Sequence, residues 1–459
     1  MHRLLQLSMT PTSKAIHVVY LLVMLRVVQK TQRRSPVLEG MEGFILQMLT
    51  GEYAHLLLAG NAAAVVTWLR RLSKRQPSQA TWLDAGLVST HLLLLGRLAH
   101  LAMTNANSAD AFRRAFIEHG LVSPVDADRR IGNRTWNEWW SVWNPLPFAF
   151  HFPGHIQTVT YGWVGERLPH ALQMDVYRHH NCAAMPPVLL FIHGGGWMLG
   201  SKSMIPSSLL HAVAQKGWLF CAMDYRKAPF VSFPDHLIDC KRAVAYLRSS
   251  SRTLRADTSK IVVCGESAGG HLASLLAITA DDKSFQPGFE NADCSVMACI
   301  DAYGTHDLTD RFGHYGRIDI PRKYRNYVQA VLMNSRLCTN RPAFELASPY
   351  YHLLHHKPSV LVPPFLCVHG TYDSVIPFED SREFYHALQR HREHTGRTNA
   401  VPDIFVPVPQ AEHAFNAIRS LRTLAYNDAV CVFLDALVTA RPRPKTTGPS
   451  ADSAPTSRL

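Results

Sequence analysis

The chain has no close pair of cysteines: its nine are scattered singly, no C-x-x-C occurs, and Cys264 sits inside an apolar, strand-like run. An odd, dispersed set argues against a disulfide framework and against a structural zinc site, so reduced thiols are expected. Acidic residues are missing from the start of the chain, where the first is Glu39. Uninterrupted apolar runs of about 20 residues, the length that a membrane-crossing helix needs, are absent too. No internal repeat is visible.

The positive charge is concentrated at the ends. The formal net charge is +12, of which residues 1–143 carry +7 and residues 441–459 carry +3, leaving +2 for the 297 residues between. A nucleic-acid-binding domain would carry its basic patch on the folded part, so no nucleic-acid partner is expected. An anionic membrane surface suits the basic end better. At 459 residues the chain exceeds what one core usually supports, and a large domain plus an extension is the expectation.

In the extension, Arg3, Lys14, Arg26, Lys30, Arg33 and Arg34 flank or interrupt the apolar run Ala15 to Val28. Ala54 to Leu69 contains His55 and Asn61, and Ala85 to Met103 is broken by His91, Arg97 and His100. An unpaired arginine at mid-membrane costs about 3 kcal/mol or more, so none of the three is a clean transmembrane helix. The reading is a small helical cap or anchor whose apolar faces lie against a membrane or against the larger domain, with insertion left open. A membrane-associated location on the intracellular side is favoured. Trp136, Trp139, Trp140, Trp143, Phe148, Phe150 and Phe152 then follow closely, read first as core packing between the two parts. The Pro/Ser/Thr-rich tail 441–459 is expected to be disordered. His352, His355 and His356 have helical spacing but no carboxylate or cysteine nearby, so they are read as surface residues and no metal site is expected.

The chemistry is concentrated around Gly265-Glu266-Ser267-Ala268-Gly269. It follows the apolar run Ile261 to Cys264 and opens a helix-like segment, His271 to Ala277. In that context a G-x-S-x-G serine is presented as a nucleophile. A serine hydroxyl needs a base for its proton and N–H donors for the oxyanion it creates. Upstream, the strand-like Val188 to Ile192 runs into His193-Gly194-Gly195-Gly196-Trp197, a loop type that supplies one side of an oxyanion hole, the residue after the nucleophile supplying the other. Gly195, Gly196 and Ala268 are the candidate donors, with His193 and Gly194 as supporting loop residues. Downstream, Phe365 to Val368 ends in His369-Gly370-Thr371-Tyr372-Asp373, and Ile404 to Val408 leads to Glu412-His413. Both polar groups thus follow strands, where open α/β sheets gather their functional residues. Ser267 as nucleophile, Asp373 as acid and His413 as base stand in the α/β-hydrolase order. Asp380 is the alternative acid.

Through His193-Gly194-Gly195-Gly196-Trp197, Asp224-Tyr225-Arg226, Gly265 to Gly269, His369 to Asp373 and His413, the chain resembles the hormone-sensitive-lipase-like family of carboxylesterases, over roughly Leu168 to Leu437. Phe285 to Glu290 and Arg311 to His314 are similar to a bacterial esterase/lipase branch that carries an N-terminal hydrophobic extension. Where many members continue Asp-Tyr-Arg with Leu-Ala-Pro-Glu, this chain has Lys227-Ala228-Pro229-Phe230. The resemblance implies an α/β-hydrolase fold, a mostly parallel sheet with helices on both faces, and hydrolysis of carboxylic esters without a cofactor.

The expectation is therefore a helical basic extension at 1–143, a catalytic domain at 144–440 with a substrate-capping insertion at Asp307 to Phe344, and the tail. The substrate is a small-molecule or lipid ester of short to medium acyl chain. A methylesterase or formamidase on the same scaffold is the alternative, and a non-catalytic hydrolase-fold receptor the reading outside enzymology. Oligomeric state is not legible.

Overall fold

The structure is a computed structural model that describes residues 11–31, 41–74, 81–143, 152–165, 169–315, 324–355, 361–396 and 399–440. Arg3, Arg33, Arg34, the boundary at 144, Phe148, Phe150, His356, residues 316–323 of the capping insertion and the 441–459 tail lie outside them.

Eight strands form one sheet: β1 (Gly154–Val164), β2 (His170–His179), β3 (Pro187–Ile192), β4 (Leu219–Met223), β5 (Asp257–Glu266), β6 (Ala298–Ala302), β7 (Phe365–Gly370) and β8 (Ile404–Val408). Their order is β1-β2-β4-β3-β5-β6-β7-β8. Only β2 runs against its neighbours, and β4, β3, β5, β6, β7 and β8 are parallel. Parallel strands are joined by crossovers that cover both faces, so their sequences read as continuous apolar runs. β4, β6 and β7 are accordingly buried along their whole length. Along β3 the side chains alternate between two cores. Val188, Leu190 and Ile192 meet Leu237, Leu272 and Leu276 on one face, whereas Leu189 and Phe191 meet Val213, Phe433 and Leu434 on the other. This is the α/β-hydrolase architecture expected from the sequence.

Before the sheet come α1 (Pro11–Thr31), α2 (Met41–Glu52), α3 (Ala54–Leu72), α4 (Trp82–Ala106) and α5 (Ser108–Glu118). Leu21 and Val28 of α1, Trp68 of α3, and Leu87, Leu94, Leu98 and Leu101 of α4 form a separate small core. Three of the polar residues that interrupt the apolar runs, His55, Asn61 and His91, are hydrogen-bonded within the helical part, whereas Arg26 and His100 are exposed. His91 Nδ1 donates to Asn61 Oδ1 at 2.5 Å, leaving its Nε2 to accept from His17 Nε2 at 3.0 Å. His55 donates to the Val142 carbonyl at 2.9 Å. The opposite surface is apolar and exposed, with Val19, Leu22 and Val23 on α1, Val66 and Leu69 on α3, and Leu92, Leu93 and Met103 on α4. By length and composition Trp82–Glu118 could cross a membrane, and only 28% of its most apolar window is buried. Trp136, Trp139, Trp140 and Trp143 are exposed rather than packed as core, because the helix that carries three of them, Trp136–Ser141, has no buried residue; Phe152 does enter the core.

One buried polar cluster joins the helices to the sheet domain. Arg422, at the start of the last helix (Leu421–Thr439), pairs through its guanidinium with Glu52 at the end of α2. Glu52 Oε2 also accepts from Ser420 Oγ at 2.6 Å and Asn105 Nδ2 at 3.0 Å, while Arg422 Nε donates to Ser108 Oγ at 3.1 Å. Both charged side chains are nearly inaccessible to water. Removing one partner strands the other in a low-dielectric site, so Glu52→Ala is expected to cost about 3–5 kcal/mol, and Glu52→Leu with Arg422→Met to recover much of that. Urea unfolding of the full chain measures both. A Glu52→Ala loss below about 1 kcal/mol would mean that the pair is solvated and does not anchor the helices.

Candidate active site

Ser267 lies between β5 and the helix Ala268–Ile278, with φ 55° and ψ −119°. A non-glycine residue holds such a backbone only where its surroundings impose it. The Ser267 N–H donates to the Ala302 carbonyl at the end of β6 at 2.9 Å. A Cβ at Gly269 would lie 2.0 Å from the Ile192 carbonyl oxygen, so the turn can sit against the end of β3 only with glycine there. The hydroxyl is thereby aimed at the loops that follow β7 and β8.

Those loops bring His413 and Asp373 to it. His413 Nδ1 donates to Asp373 Oδ2 at 2.7 Å, which leaves Nε2 as an acceptor for the Ser267 hydroxyl at 2.9 Å. Asp373 Oδ1 accepts the N–H groups of Val375 and Ile376, both at 2.8 Å. A second imidazole, His369 Nε2, lies 3.0 Å from Asp373 Oδ2, and its own Nδ1 is bonded to Ser381 Oγ at 2.6 Å. Burial alone would raise the Asp373 carboxyl, but the two imidazoles hold it well below the usual carboxylate range. Burial would likewise lower His413, yet Asp373, with help from Glu412 and Glu266, leaves it above the ordinary imidazole value. A hydroxyl, an imidazole and a carboxylate in one hydrogen-bonded line can pass the hydroxyl proton to the imidazole while the carboxylate stabilises the charge created.

Asp380, the alternative acid, faces elsewhere. Its Oδ2 is 3.2 Å from His306 Nδ1, and His306 Nε2 is 2.9 Å from Asp301 Oδ2. Burial opposes the His306 charge, but the two carboxylates prevail and raise it to about 9.

The glycine loop after β3 lies beside Ser267: a Cβ at Gly194 would be 3.3 Å from the Ser267 Cβ. Gly195 and Gly196 have φ of 112° and 58°, conformations that favour glycine, and a Cβ at Gly195 would be 2.4 Å from the Leu199 carbonyl oxygen. His193 Nδ1 donates to the Gly194 carbonyl at 2.7 Å, and Tyr225 OH donates to the His193 carbonyl at 3.1 Å while stacking on its ring. Burial pushes His193 down to about 4, which suits a neutral structural imidazole. The Asp-Tyr-Arg segment thus supports the loop from beneath, and Lys227 pairs with Asp224 at 3.3 Å. Phe230, where the family's glutamate would stand, points into solvent.

Several neighbours of the site had no sequence signal. Tyr327 OH, from the capping insertion, donates to the Gly196 carbonyl at 2.7 Å. The Phe44 ring, from α2, stands edge-on to His413 at 6.0 Å, so the N-terminal helices contribute one wall. Tyr303 packs on His413 from another side at 4.8 Å. Glu266, within the Gly265–Gly269 turn, is half-buried beneath them, accepting from Asn416 Nδ2 at 2.5 Å, and desolvation raises it to about 7. Among the described residues no group of three His, Cys, Asp or Glu could hold a metal ion.

Comparison with known proteins gives a consistent set. The BD-FAE family model matches residues 174–388. The chain is 29% identical over 401 residues to the Mycobacterium tuberculosis protein named Probable carboxylic ester hydrolase LipM, covering 85% of each chain. It is 28% identical over 408 residues to Esterase LipC of the same organism, covering 82% of this chain and 95% of that one. A match of 85% cannot be held within residues 144–440, so the likeness to LipM runs into the N-terminal helices. Isoprenylcysteine alpha-carbonyl methylesterase ICME of Arabidopsis thaliana is 25% identical over 224 residues, covering 47% of this chain and 49% of that one.

Because its imidazole must be neutral to accept the hydroxyl proton, covalent labelling of Ser267 by a fluorophosphonate is expected to rise with pH and reach half its plateau above the ordinary imidazole value of 6.5. Labelling rates across pH 5–9 test this. A half-point below that value would show that burial, not Asp373, dominates His413.

Proposed function

The chain belongs to the hormone-sensitive-lipase-like family of α/β-hydrolase carboxylesterases, and from that premise we propose that it hydrolyses short- to medium-chain carboxylic esters by two-step acyl transfer through Ser267. The observation that carries this reading is the 2.9 Å contact between Ser267 Oγ and a His413 whose other nitrogen is committed to Asp373. His413 takes the hydroxyl proton as Oγ bonds to the carbonyl carbon and the carbonyl electron pair moves to oxygen. The N–H groups of Gly195, Gly196 and Ala268 receive that oxyanion. When the pair returns, the bond to the alkoxy group breaks, and His413 delivers the proton to the departing oxygen. Water then repeats the sequence on the acyl-enzyme, releasing the acid and regenerating the serine. The residues supply every proton transfer, so the route needs no cofactor.

Ser267→Ala should abolish both ester turnover and fluorophosphonate labelling while leaving the fold intact, and Asp373→Asn should lower kcat by about 10⁴-fold, the cost of the wrong histidine tautomer. A panel of p-nitrophenyl esters of increasing acyl length reads these variants and the chain-length preference together. Labelling retained in folded Ser267→Ala would remove Ser267 from the chemistry. The similarity to a methylesterase favours methyl-ester hydrolysis as a second reading, and a methyl ester of a medium-chain acid in the same panel separates the two.

The division of labour is a helical part up to residue 143 and a catalytic domain at 144–440. The exposed apolar side chains of α1, α3 and α4, bordered by Arg70 and Lys74, suit attachment to an anionic membrane. The full chain is then expected to sediment with membranes. Release by about 1 M salt, where the Debye length is about 3 Å, identifies surface attachment, and release by detergent alone identifies inserted helices. A chain that stays soluble at low salt would restrict the helices to capping the site.

A further inference from the structure

Glu412 immediately precedes the proposed base and takes no part in the steps above, yet it is only 4% exposed and lies at the centre of the site. A single oxygen, Oε1, accepts the N–H of Ser374 at 2.7 Å and the N–H of His413 at 2.9 Å. Ser374 is the residue after Asp373, in the loop that leaves β7. His413 stands in the loop that leaves β8. One carboxylate oxygen therefore ties together the two backbone segments whose side chains meet as the Asp373–His413 hydrogen bond.

Other bonds also join these loops: Tyr372 N–H to the Ala411 carbonyl at 3.1 Å and Gln410 N–H to Thr371 Oγ1 at 2.9 Å. They act earlier in each loop, before the functional residues. Of these bonds, those of the Glu412 carboxylate alone reach the backbone of His413 itself and of the residue after Asp373. A neutral side chain could accept the same two N–H groups without the cost of burying a carboxylate, and that cost is large enough, with Asp373 close by, to raise Glu412 to about 7. What the neutral alternative lacks is a negative charge next to an imidazole that must become cationic.

Resting on the reading that His413 is the base, we propose that Glu412 is a positioning residue for ester hydrolysis: its carboxylate clamps the acid loop to the base loop and, when ionised, stabilises the imidazolium of His413. The charged and titratable groups around this pair are Asp373 on the β7 loop, with His369 behind it, Glu266 at the end of β5, and the Tyr303 phenol, whose ring packs on His413. Asp373 makes the direct contact with the imidazole; Glu412 and Glu266 act on it through space.

The test uses the full chain, with Glu412→Gln, Glu412→Ala and His413→Ala compared on p-nitrophenyl butyrate. Glutamine keeps an oxygen acceptor for both N–H groups but carries no charge; alanine loses both. Glu412→Ala is expected to lower kcat by about 10- to 100-fold, the scale of a misplacement of about 1 Å, with KM changed less than about threefold. Glu412→Gln is expected to recover most of kcat. In both variants the imidazolium has lost a stabilising charge and gives up its proton more readily, so the acid limb of kcat/KM should move to lower pH by about one unit. A merely structural residue would not move that limb.

Wild-type kcat in folded Glu412→Ala, or an acid limb unmoved in Glu412→Gln, overturns the proposal. Urea unfolding establishes that each variant is folded, and if the alanine variant is not, the pH profile of the glutamine variant decides alone. His413→Ala separates the two levels. If it remains active, the base assignment fails and the clamp fails with it. If it is inactive while the Glu412 variants behave as wild type, only the clamp is removed.

Discussion

Everything at the site depends on one backbone constraint, the positive φ of Ser267 wedged between the ends of β5, β3 and β6. The strain is tolerable because both sides of the turn are held: the Ser267 N–H is bonded to β6, and Gly269 lets the following helix touch the last carbonyl of β3. The same proximity places the glycine loop after β3 within van der Waals reach of the serine. A side chain at any of these contact glycines would push the helix, the loop or the sheet apart. The proposed nucleophile and oxyanion donors are thus positioned by a single packing event.

The electrostatics of the site follow from how many carboxylates are buried around one imidazole. Asp373, Glu412 and Glu266 all favour the cationic form of His413, against burial, which disfavours it. They are not equivalent. Asp373 is held ionised by two imidazoles and two backbone N–H donors, whereas Glu412 and Glu266 are raised by burial into the neutral range. The same logic operates at a second buried imidazole. His306 lies between Asp301 and Asp380 and is held charged in a buried ion cluster.

The N-terminal helices reconcile two demands. Their outer surface is too apolar to be explained by the small core they form among themselves, but their inner surface is specific and polar, centred on Glu52 and Arg422. A buried ion pair is weak evidence for stability, because desolvation consumes most of its attraction, but it is good at fixing a register. Here that register sets where α2 lies, and hence where Phe44 stands against His413. On the proposed membrane attachment, a helical unit with lipid on one side and the proposed base on the other gives an ester a short path between them.

The sequence by itself determined the parallel sheet, the order of the candidate site residues and the ester-hydrolase class, because these are local or repetitive properties. Continuous apolar runs ending in polar loops mark buried parallel strands, and Gly265 to Gly269 marks the sharp turn whatever surrounds it. Ser267, Asp373, His413 and the glycine loop were legible for that reason. The tertiary structure alone decided what stands around them. Glu52 and Arg422 are 370 residues apart, and neither lies in a motif. His91 and Asn61 read as flaws in apolar helices until the bundle turns them toward each other and His17. Asp373 and its alternative, Asp380, both follow β7 in the chain, and the structure shows Asp380 committed to His306 instead. Glu412 is one more charged residue beside a histidine until two loops close on its carboxylate. Long-range pairings of this sort leave no period or spacing in the chain, because each is created only when strands far apart in sequence are brought side by side.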